Sequence, residues 1–394
     1  MSKFFWLLSI KIRGYRPFRD ILFRFKPLQV IVGANGSGKS SLFEFLKFLR
    51  DTCYQEIPPE IVGGTIGQNI FHKPGPDKFL WNAEFDLKRI APIYYHGELM
   101  GPVGSAKIIF EKVVTGKFQD QTDLGFTFLN FKEGRGLVQE PGEKRPVKIS
   151  KEWDLKKPNQ LGLGAITDSS LSTLFALREY IRGWRFYDAF NINSEKIRKS
   201  VPTSQEPVLH EDAGNLSAVL FNLMTEHADA FEDLKSVIKS AIPGFKNINV
   251  KARGGPGEVI AFWQEDNIDI EFTLADLSDG ILRFIVWATL CNMPSPPSLI
   301  CIDEPDLGLH PRTLSILAGL FDKASERTQL ILSTHSSYVL TQFELDNIGV
   351  MKKVSGESAF VEVKNSQILI DNLEDFGVEE LEQMHRTDEL EALL

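Results

Sequence analysis

The sequence has 394 residues, 43 % of them hydrophobic and 25 % charged, which excludes a disordered, collagenous or low-complexity chain. Its 44 basic and 53 acidic residues give a net charge of −9, which argues against a protein that coats nucleic acid over its whole surface. The three cysteines are widely spaced and form no CxxC pair, so we expect no disulfide framework and a cytoplasmic location. No apolar run approaches the roughly 18 residues that span a bilayer, so we expect no membrane partner.

The first third of the chain predicts strands over 6–12, 21–25 and 28–32. The last of these is an almost continuous apolar run, which is typical of a strand buried on both faces. A helix begins near Gly38 because apolar residues then recur every three or four positions. The stretch 51–78, rich in glycine and proline, is predicted to be loop.

The middle of the chain predicts mixed structure. Strand-like patterns occupy 79–90, 105–114, 124–131, 246–252, 258–264 and 268–274. Helical patterns occupy 170–183 and 215–240, whereas 132–168 has few apolar residues and is predicted to be loop or a flexible insertion. From 277 the order becomes α/β, with helices at 279–292, 311–325 and 336–343 around buried strands at 298–302 and 329–333.

A glycine-rich loop joins the buried strand 28–32 to the first helix. Its residues fit Gly-x4-Gly-Lys-Ser and are Gly33, Ala34, Asn35, Gly36, Ser37, Gly38, Lys39 and Ser40. Such a loop wraps its backbone N–H groups around phosphate oxygens, and the helix N-terminus adds partial positive charge. Lys39 is expected to reach the β- and γ-phosphates, Ser40 to ligate Mg²⁺, and Ser41 to contact the α-phosphate. The loop therefore predicts nucleotide binding.

Two acids, Asp303 and Glu304, follow the apolar strand that ends at Ile302. In this position Asp303 is expected to hold Mg²⁺ and Glu304 to polarise an attacking water molecule. The pair lies 264 residues after Lys39, so a large insertion must split the nucleotide-binding core.

Three further short motifs accompany the acids. Leu277-Ser278-Asp279-Gly280 opens a helix 23 residues before Asp303, and Asp306-Leu307-Gly308-Leu309-His310-Pro311 follows the acids. A buried strand then ends at His335, in Ser333-Thr334-His335-Ser336. Each motif alone is a common helix cap, turn or strand end, but their order is informative.

Together the motifs resemble the ABC-type ATPases of the SMC/RecF/OLD branch, and the chain is similar to bacterial predicted ATPases of the AAA-family, ABC-like type. The resemblance covers roughly 1–75 and 205–345. It implies an α/β fold: a P-loop ABC-type ATPase head, with a mixed sheet and N-terminal antiparallel strands, split by a large α+β insertion. It also implies that the cofactors are ATP and Mg²⁺.

The resemblance further implies a homodimer that sandwiches ATP. Ser278 and Gly280 would bind the γ-phosphate of ATP held by the other subunit, and His335 would be a switch histidine. Glu304, His335 and Lys39 are then the expected catalytic residues. Expected domains are 1–91 and 271–370 as the two halves of the head, 92–270 as an inserted lobe, and 371–394 as an acidic tail with nine acids and one base.

The sequence departs from the family pattern in two places. Asp279 stands where the usual signature has glycine, and Ile281 stands where it ends in glutamine. Gln68 is the candidate for the glutamine that normally contributes to the metal site, with Gln55 and His72 as alternatives.

The chain has no long heptad segment, and the 59 residues after His335 are too few for a TOPRIM domain, so any nuclease is expected on a separate chain. Basic residues at 144–157 and the arginines Arg178, Arg182 and Arg185, with Trp184 nearby, offer a DNA or RNA contact; a solvated loop and helix are the plainer alternative.

We expect an ATPase whose dimer closes on ATP and acts on DNA or a partner effector in genome maintenance or phage defence. The alternative is a slowly hydrolysing scaffold or sensor that restrains a partner toxin or nuclease.

Overall fold

The structure is a computed structural model. It describes residues 5–54, 56–57, 70–87, 91–102, 106–116, 125–142, 149–155, 157, 159–189, 191–192, 194–205, 207–336 and 342–362. Two compact units divide these residues, one combining Met1–Lys26, Gly33–Trp184 and Gly349–Glu362, the other combining Pro27–Val32 with Arg185–Ile348. The predicted domain limits at 91, 270 and 370 remain predictions, and the predicted acidic tail lies outside the described residues.

The described strands and helices are numbered here in chain order. The strands are β1 (Trp6–Tyr15), β2 (Phe18–Arg24), β3 (Leu28–Val32), β4 (Lys78–Asp86), β5 (Ile93–Met100), β6 (Lys107–Thr115), β7 (Thr127–Lys132), β8 (Arg135–Glu140), β9 (Ile149–Asp154), β10 (Trp184–Asp188), β11 (Val201–Pro202), β12 (Phe245–Ala252), β13 (Glu258–Glu265), β14 (Phe272–Thr273), β15 (Leu299–Asp303), β16 (Gln329–Thr334), β17 (Ile348–Val354) and β18 (Glu357–Glu362). The α-helices are α1 (Lys39–Thr52), α2 (Gly162–Ala165), α3 (Ser172–Arg182), α4 (Ser194–Ile197), α5 (Leu216–Glu226), α6 (Ala228–Ala241), α7 (Asp279–Asn292) and α8 (Pro311–Ser325).

The first unit contains an eight-stranded antiparallel sheet with the order β2-β1-β4-β5-β6-β7-β8-β9. Burial alternates along its central strands, most regularly in β4, because successive side chains point to opposite faces. The apolar face packs against α1 through rings such as Phe45, Phe48 and Trp81, whose centroids lie 5.7 to 6.2 Å apart. The core of this unit therefore lies between the amphipathic helix α1 and the apolar face of the sheet.

The second unit contains the strands β10, β15, β16 and β3, which are neighbours in this order. β15 runs parallel to β16, and β16 runs parallel to β3. The side chains of β3 and β16 are buried along their whole length, which explains their continuous apolar runs. Parallel pairing brings the carboxyl ends to one edge, where Asp303 is opposite Ser333 and Thr334 is opposite Val32.

The rest of the second unit packs helices on a small antiparallel sheet. The strands β11, β13 and β12 are neighbours in this order, and β14 pairs with β13. The helix α5 packs on this sheet, and α6 contacts α7 and α8. Among the described residues, no helix combines enough length and hydropathy to cross a membrane.

Most predicted elements match the structure, and the strands that the sequence does not predict lack a regular apolar pattern. The prediction of loop over 132–168 is wrong, because β8 and β9 lie there. The strand β9 is largely exposed, so it lacks the apolar residues that mark a buried strand. The strand β5, also not predicted, carries Gly97, where a Cβ would lie 2.1 Å from Cζ2 of Trp81. A glycine that makes room for a neighbouring ring weakens the strand pattern.

Three other predictions have different outcomes. The helical pattern over 215–240 is two helices, since His227 ends α5 and begins α6 with a non-helical backbone. Of 268–274, only Phe272–Thr273 is strand. The predicted helix at 336–343 lies mostly outside the described residues, because 337–341 are not described.

Candidate functional site

The glycine-rich loop begins directly after β3 and is shaped by close backbone contacts. A Cβ on Gly33 would lie 2.1 Å from the carbonyl oxygen of Met351, so no side chain fits there. Gly38 has φ 116°, which disfavours other residues, and its Cβ would lie 2.8 Å from Cε1 of Phe18. The loop is therefore a cradle whose walls exclude side chains and leave the backbone accessible.

Lys39 lies across this loop. Its side chain is buried, and Nζ donates hydrogen bonds to the carbonyl oxygens of Gly33 at 2.6 Å and Ala34 at 3.2 Å. Ser37 is also buried, and its hydroxyl has no hydrogen-bond partner among the described residues. A cation and an unsatisfied hydroxyl in a cradle lined by backbone fit an anion with several oxygens, such as a polyphosphate.

The helix α1 begins in the same loop. Gly38 is its N-cap and supplies no side-chain hydrogen bond, and the first turn contains no acidic residue. The partial positive charge of the helix N-terminus is therefore not neutralised by a local side chain. Asn35, Gly36 and Ser40 are exposed and Ser41 is half-buried. The hydroxyl of Ser40, on the first turn, is the hard oxygen donor that Mg²⁺ prefers.

In the second unit, Asp303 ends β15 and accepts a hydrogen bond from the hydroxyl of Ser333 on β16. Glu304 follows with φ 51°, a left-handed conformation that is uncommon outside glycine. Its backbone N–H donates to the carbonyl oxygen of Ser333 at 2.8 Å. The sheet edge thus holds the carboxylate of Asp303 and the backbone of Glu304 in place, and Glu304 occupies a strained backbone position of the kind found at functional sites.

Glu304 and His335 are in contact within this unit. Nε2 of His335 lies 3.3 Å from Oε1 of Glu304, and the backbone N–H of His335 donates to Oε2 at 3.3 Å. Both side chains are only partly exposed, with 18 % for Glu304 and 35 % for His335. An imidazole facing a carboxylate at the end of neighbouring parallel strands is suited to holding and moving a proton.

Asp306 is held by a hydrogen bond from the residue that precedes His335. The hydroxyl of Thr334 donates to Oδ1 of Asp306 at 2.7 Å. Burial raises the pKa of Asp306, and the hydrogen bond from Thr334 opposes that shift. The turn after Glu304 is thereby tied to the residue before His335.

The residues 277–280 contact the turn that follows the acids. Ser278 is the N-cap of α7, and its Oγ accepts a hydrogen bond from the N–H of Ile281 at 3.4 Å. A Cβ on Gly280 would lie 2.6 Å from the carbonyl oxygen of Gly308, so only glycine allows this approach. Nη1 of Arg283 donates to the carbonyl oxygen of Leu307 at 3.2 Å. The start of α7 and the turn 306–310 therefore pack directly against each other.

The structure does not address every predicted site residue. Gln68 and Gln55 lie outside the described residues, whereas Nδ1 of His72 is 2.8 Å from the carbonyl oxygen of Arg16. The glycine-rich loop with Lys39 belongs to the first unit, and Ser278, Gly280, Asp303, Glu304 and His335 belong to the second. Their roles as ligands and catalysts remain predictions. Among the described residues, no group of three or more His, Cys, Asp or Glu side chains is arranged to hold a metal.

The predicted basic surface is wrong for two of its members. Arg178 is buried and donates to the carbonyl oxygen of Gly164 at 3.1 Å, and Trp184 is completely buried. Lys151 forms an ion pair with Asp168 at 2.7 Å. Lys144, Arg145, Lys148 and Lys156 lie outside the described residues. Arg178, Trp184 and Lys151 therefore contribute to packing and pairing within the fold.

Sequence reasoning missed three residues that support the candidate site. Ser333 and Thr334 hold Asp303 and Asp306, and a hydroxyl pair directly before His335 was the signal that could have found them. Arg198, which donates to the carbonyl oxygen of Leu277, carries no signal in the sequence, since it lies 79 positions away.

Comparison with known families gives two matches. The family described as "AAA domain, putative AbiEii toxin, Type IV TA system" matches residues 117–341, which is more than half of the chain. A second family, described as "AAA domain", matches residues 9–160.

Two curated proteins are similar to the chain. One is the Retron Ec83 probable ATPase of Escherichia coli, 29 % identical over 42 % of this chain and 30 % of its own length. The other is the Old nuclease of Escherichia phage P2, 24 % identical over 90 % of this chain and 60 % of its own length. The chain thus spans less than two thirds of each relative.

Solved structures of Smc heads are also similar. An SmcHead bound to the C-winged helix domain of ScpA superimposes with a TM-score of 0.56 at 12 % identity, covering 90 % of this chain and 97 % of the other. An Smc head with an extended coiled coil, bound to the C-terminal domain of ScpA derived from Pyrococcus furiosus, gives a TM-score of 0.54 at 12 % identity, covering 94 % and 100 %. At this identity the likeness concerns the fold, and the predicted α/β head fold is confirmed.

Proposed function

The chain belongs to the AAA-domain family described as a putative AbiEii toxin of a type IV toxin–antitoxin system, among the SMC/RecF/OLD-like ABC-type ATPases, and we propose that it hydrolyses ATP with Mg²⁺. Hydrolysis would open a homodimer that ATP closes. The observation that carries this proposal is the contact between Glu304 and His335 at the carboxyl end of the parallel strands.

In the proposed reaction, Glu304 accepts a proton from the attacking water. Its left-handed backbone and the hydrogen bond from its N–H to Ser333 hold the main chain of Glu304 at the strand end. His335 lies against the same carboxylate and would orient it and contact the γ-phosphate. Strain at Glu304 is offset by this fixed environment, which keeps the base in one position.

The phosphate chain would be held by the glycine-rich loop. Lys39, which now bonds to loop carbonyls, would turn its ammonium to the β- and γ-phosphates, and Ser37 would donate its unsatisfied hydroxyl. We propose the hydroxyl of Ser40 and the carboxylate of Asp303 as Mg²⁺ ligands, with Gln68 a further candidate. When bound, Mg²⁺ would neutralise charge on the β- and γ-phosphate oxygens.

The dimer would form because ATP contacts two copies of the chain. Ser278 and Gly280 lie at the N-terminus of the 14-residue helix α7, which favours an anion. We propose that they contact the γ-phosphate of ATP bound by a second copy. ADP lacks that phosphate, so the nucleotide state changes the dimerisation equilibrium.

The decisive experiment compares ATP turnover of the wild type, Glu304→Gln and the control Glu326→Gln, which removes an exposed carboxylate at the end of α8. We expect Glu304→Gln to lower turnover by at least about 100-fold, because it removes the general base. The same variant should accumulate as a dimer with ATP in sedimentation. Equal turnover in wild type and Glu304→Gln would contradict the proposal.

A second candidate function is a slowly hydrolysing scaffold or sensor that restrains a partner toxin or nuclease. It is favoured by the fact that both carboxylate oxygens of Glu304 face His335, which leaves the base engaged. This candidate predicts negligible turnover in the wild type together with ATP-dependent dimerisation. The turnover measurement above separates the two.

We place this activity in the cytoplasm, in genome maintenance or phage defence, with DNA or a separate effector chain as the partner. The similarity to a retron ATPase and to a phage nuclease supports this role. Capturing partners with the Glu304→Gln protein in the presence and absence of ATP tests it. A defence or repair role predicts a nucleic acid or effector that is retained only with ATP.

A further inference from the structure

Asp279 poses an electrostatic problem for the proposed function. It is the first residue of α7, directly between Ser278 and Gly280, and 60 % of its side chain is exposed. A carboxylate at this position would repel the phosphate that these two residues are proposed to contact. An anion-binding helix start with an acid in its centre requires a compensating positive charge.

Arg198 supplies that charge from another part of the second unit. Its Nη2 donates to the carbonyl oxygen of Leu277 at 2.9 Å and to Oδ1 of Asp279 at 3.1 Å. The two acceptors lie on either side of Ser278, so a single guanidinium fixes both flanks of the serine. The arginine is 26 % exposed and its Nε is buried, with no hydrogen-bond partner among the described residues.

The segment that carries Arg198 is itself anchored. Lys196 forms an ion pair with Asp212 at 2.6 Å, and the hydroxyl of Ser200 donates to Oε2 of Glu258 at 2.6 Å. Asp212 also accepts a hydrogen bond from the N–H of Gly214 in the turn before α5. The backbone on both sides of Arg198 is thus fixed, which lowers the entropy cost of holding its side chain on the start of α7.

We propose that Arg198 is a positioning residue that neutralises Asp279 and holds Ser278 for contact with ATP bound by a second copy. This inference rests on the proposed function. The pair Arg198–Asp279 substitutes for the uncharged glycine of the usual signature: the acid is tolerated because the arginine donates to its Oδ1 and balances its charge.

The test measures ATP-dependent dimerisation by sedimentation in the Glu304→Gln background, and ATP affinity by calorimetry. Arg198→Gln should weaken dimerisation about tenfold, since it leaves a negative charge unpaired beside the phosphate. ATP affinity of the protomer should stay within about twofold, because the glycine-rich loop is intact. Arg198→Lys, which keeps the charge, should weaken dimerisation less than Arg198→Gln does. The control Lys199→Gln removes an exposed cation next to Arg198 and should dimerise as the parent does.

The double variant Arg198→Gln/Asp279→Asn gives the sharpest result. Removing the unpaired acid should recover most of the lost dimerisation, which a purely structural role of Arg198 would not produce. Dimerisation of Arg198→Gln equal to the parent, or a double variant no better than Arg198→Gln, overturns the inference. If Arg198→Gln does not fold, as judged by its thermal midpoint, Arg198→Lys with and without Asp279→Asn makes the same comparison. A parent that does not dimerise with ATP overturns the proposed function, and the inference with it.

Discussion

The antiparallel sheet β2-β1-β4-β5-β6-β7-β8-β9 and the parallel strands β15, β16 and β3 distribute apolar and polar residues differently. In the antiparallel sheet, apolar side chains alternate with polar ones, and the buried aromatic rings form a core on one face. In the parallel strands, burial is continuous and the polar residues are concentrated after the carboxyl ends.

This difference indicates that the residues that stabilise the fold and the residues proposed to carry the chemistry lie in different places. A strand buried on both faces has no room for functional side chains except at its end, where Asp303, Glu304 and His335 lie. A sheet with one polar face can carry charged residues anywhere, so their presence there says little about function. We therefore expect changes inside the antiparallel sheet to alter unfolding, and changes at the ends of the parallel strands to alter nucleotide handling.

The largest effect is expected for Trp81→Ala in β4. Trp81 is completely buried, and its ring lies 5.8 Å from those of Phe48 and Tyr95. Its removal should lower the free energy of unfolding by about 4 kcal/mol through lost burial and a cavity. Leu80→Ala, one position along on the half-buried face, should cost less than half as much in denaturant titrations. Equal losses would show that the two faces do not differ in packing.

Glu111 in β6 is expected to make the stability of the antiparallel sheet depend on pH. It is completely buried and accepts hydrogen bonds from Tyr95 OH at 3.0 Å and the N–H of Leu163 at 2.9 Å. Burial raises the pKa of Glu111 from 4.5 to about 7, while the backbone hydrogen bonds oppose this. The folded state therefore holds a proton that the unfolded state releases between these values, so stability falls as pH rises through this window.

The expected size of this effect is about 3 kcal/mol of unfolding free energy between pH 4.5 and 7, relative to Glu111→Gln, which cannot titrate. Denaturant titrations of both proteins across this range measure it. Parallel pH profiles for the two proteins would contradict the assignment and indicate that Glu111 is ionised in the folded state throughout.

Lys39→Ala tests the proposed nucleotide site in the glycine-rich loop that follows the parallel strand β3. Loss of its charge-assisted hydrogen bonds should weaken ATP binding about 100-fold in calorimetry. Lys47→Ala is the control, because Lys47 is an exposed cation two turns further along α1. Unchanged nucleotide affinity in Lys39→Ala would refute the assignment of the glycine-rich loop, whatever its effect on stability.

Prediction from the sequence succeeded where function constrains short segments. The strand at 28–32, the helices at 279–292 and 311–325 and the position of the acids at a strand end all match the structure, because a buried strand followed by a glycine or an acid leaves few alternatives. It failed at β8, β9 and β5, since few positions are buried in β8 and β9 and the close approach of Trp81 to Gly97 disturbs the apolar pattern in β5. Arg178 shows the same limit, because an arginine can be buried when it finds a carbonyl oxygen.

The sequence by itself determined the order of motifs, and with it the family and the expected nucleotide chemistry. Only the tertiary structure decided which residues support those motifs: Ser333 on Asp303, His335 on Glu304, and Arg198 on Leu277 and Asp279. The physical reason is that a motif depends on local backbone geometry, which a few adjacent residues encode. A supporting contact depends on which distant segments pack together. Arg198 and Asp279 are 81 positions apart, so no local sequence pattern predicts that they pair.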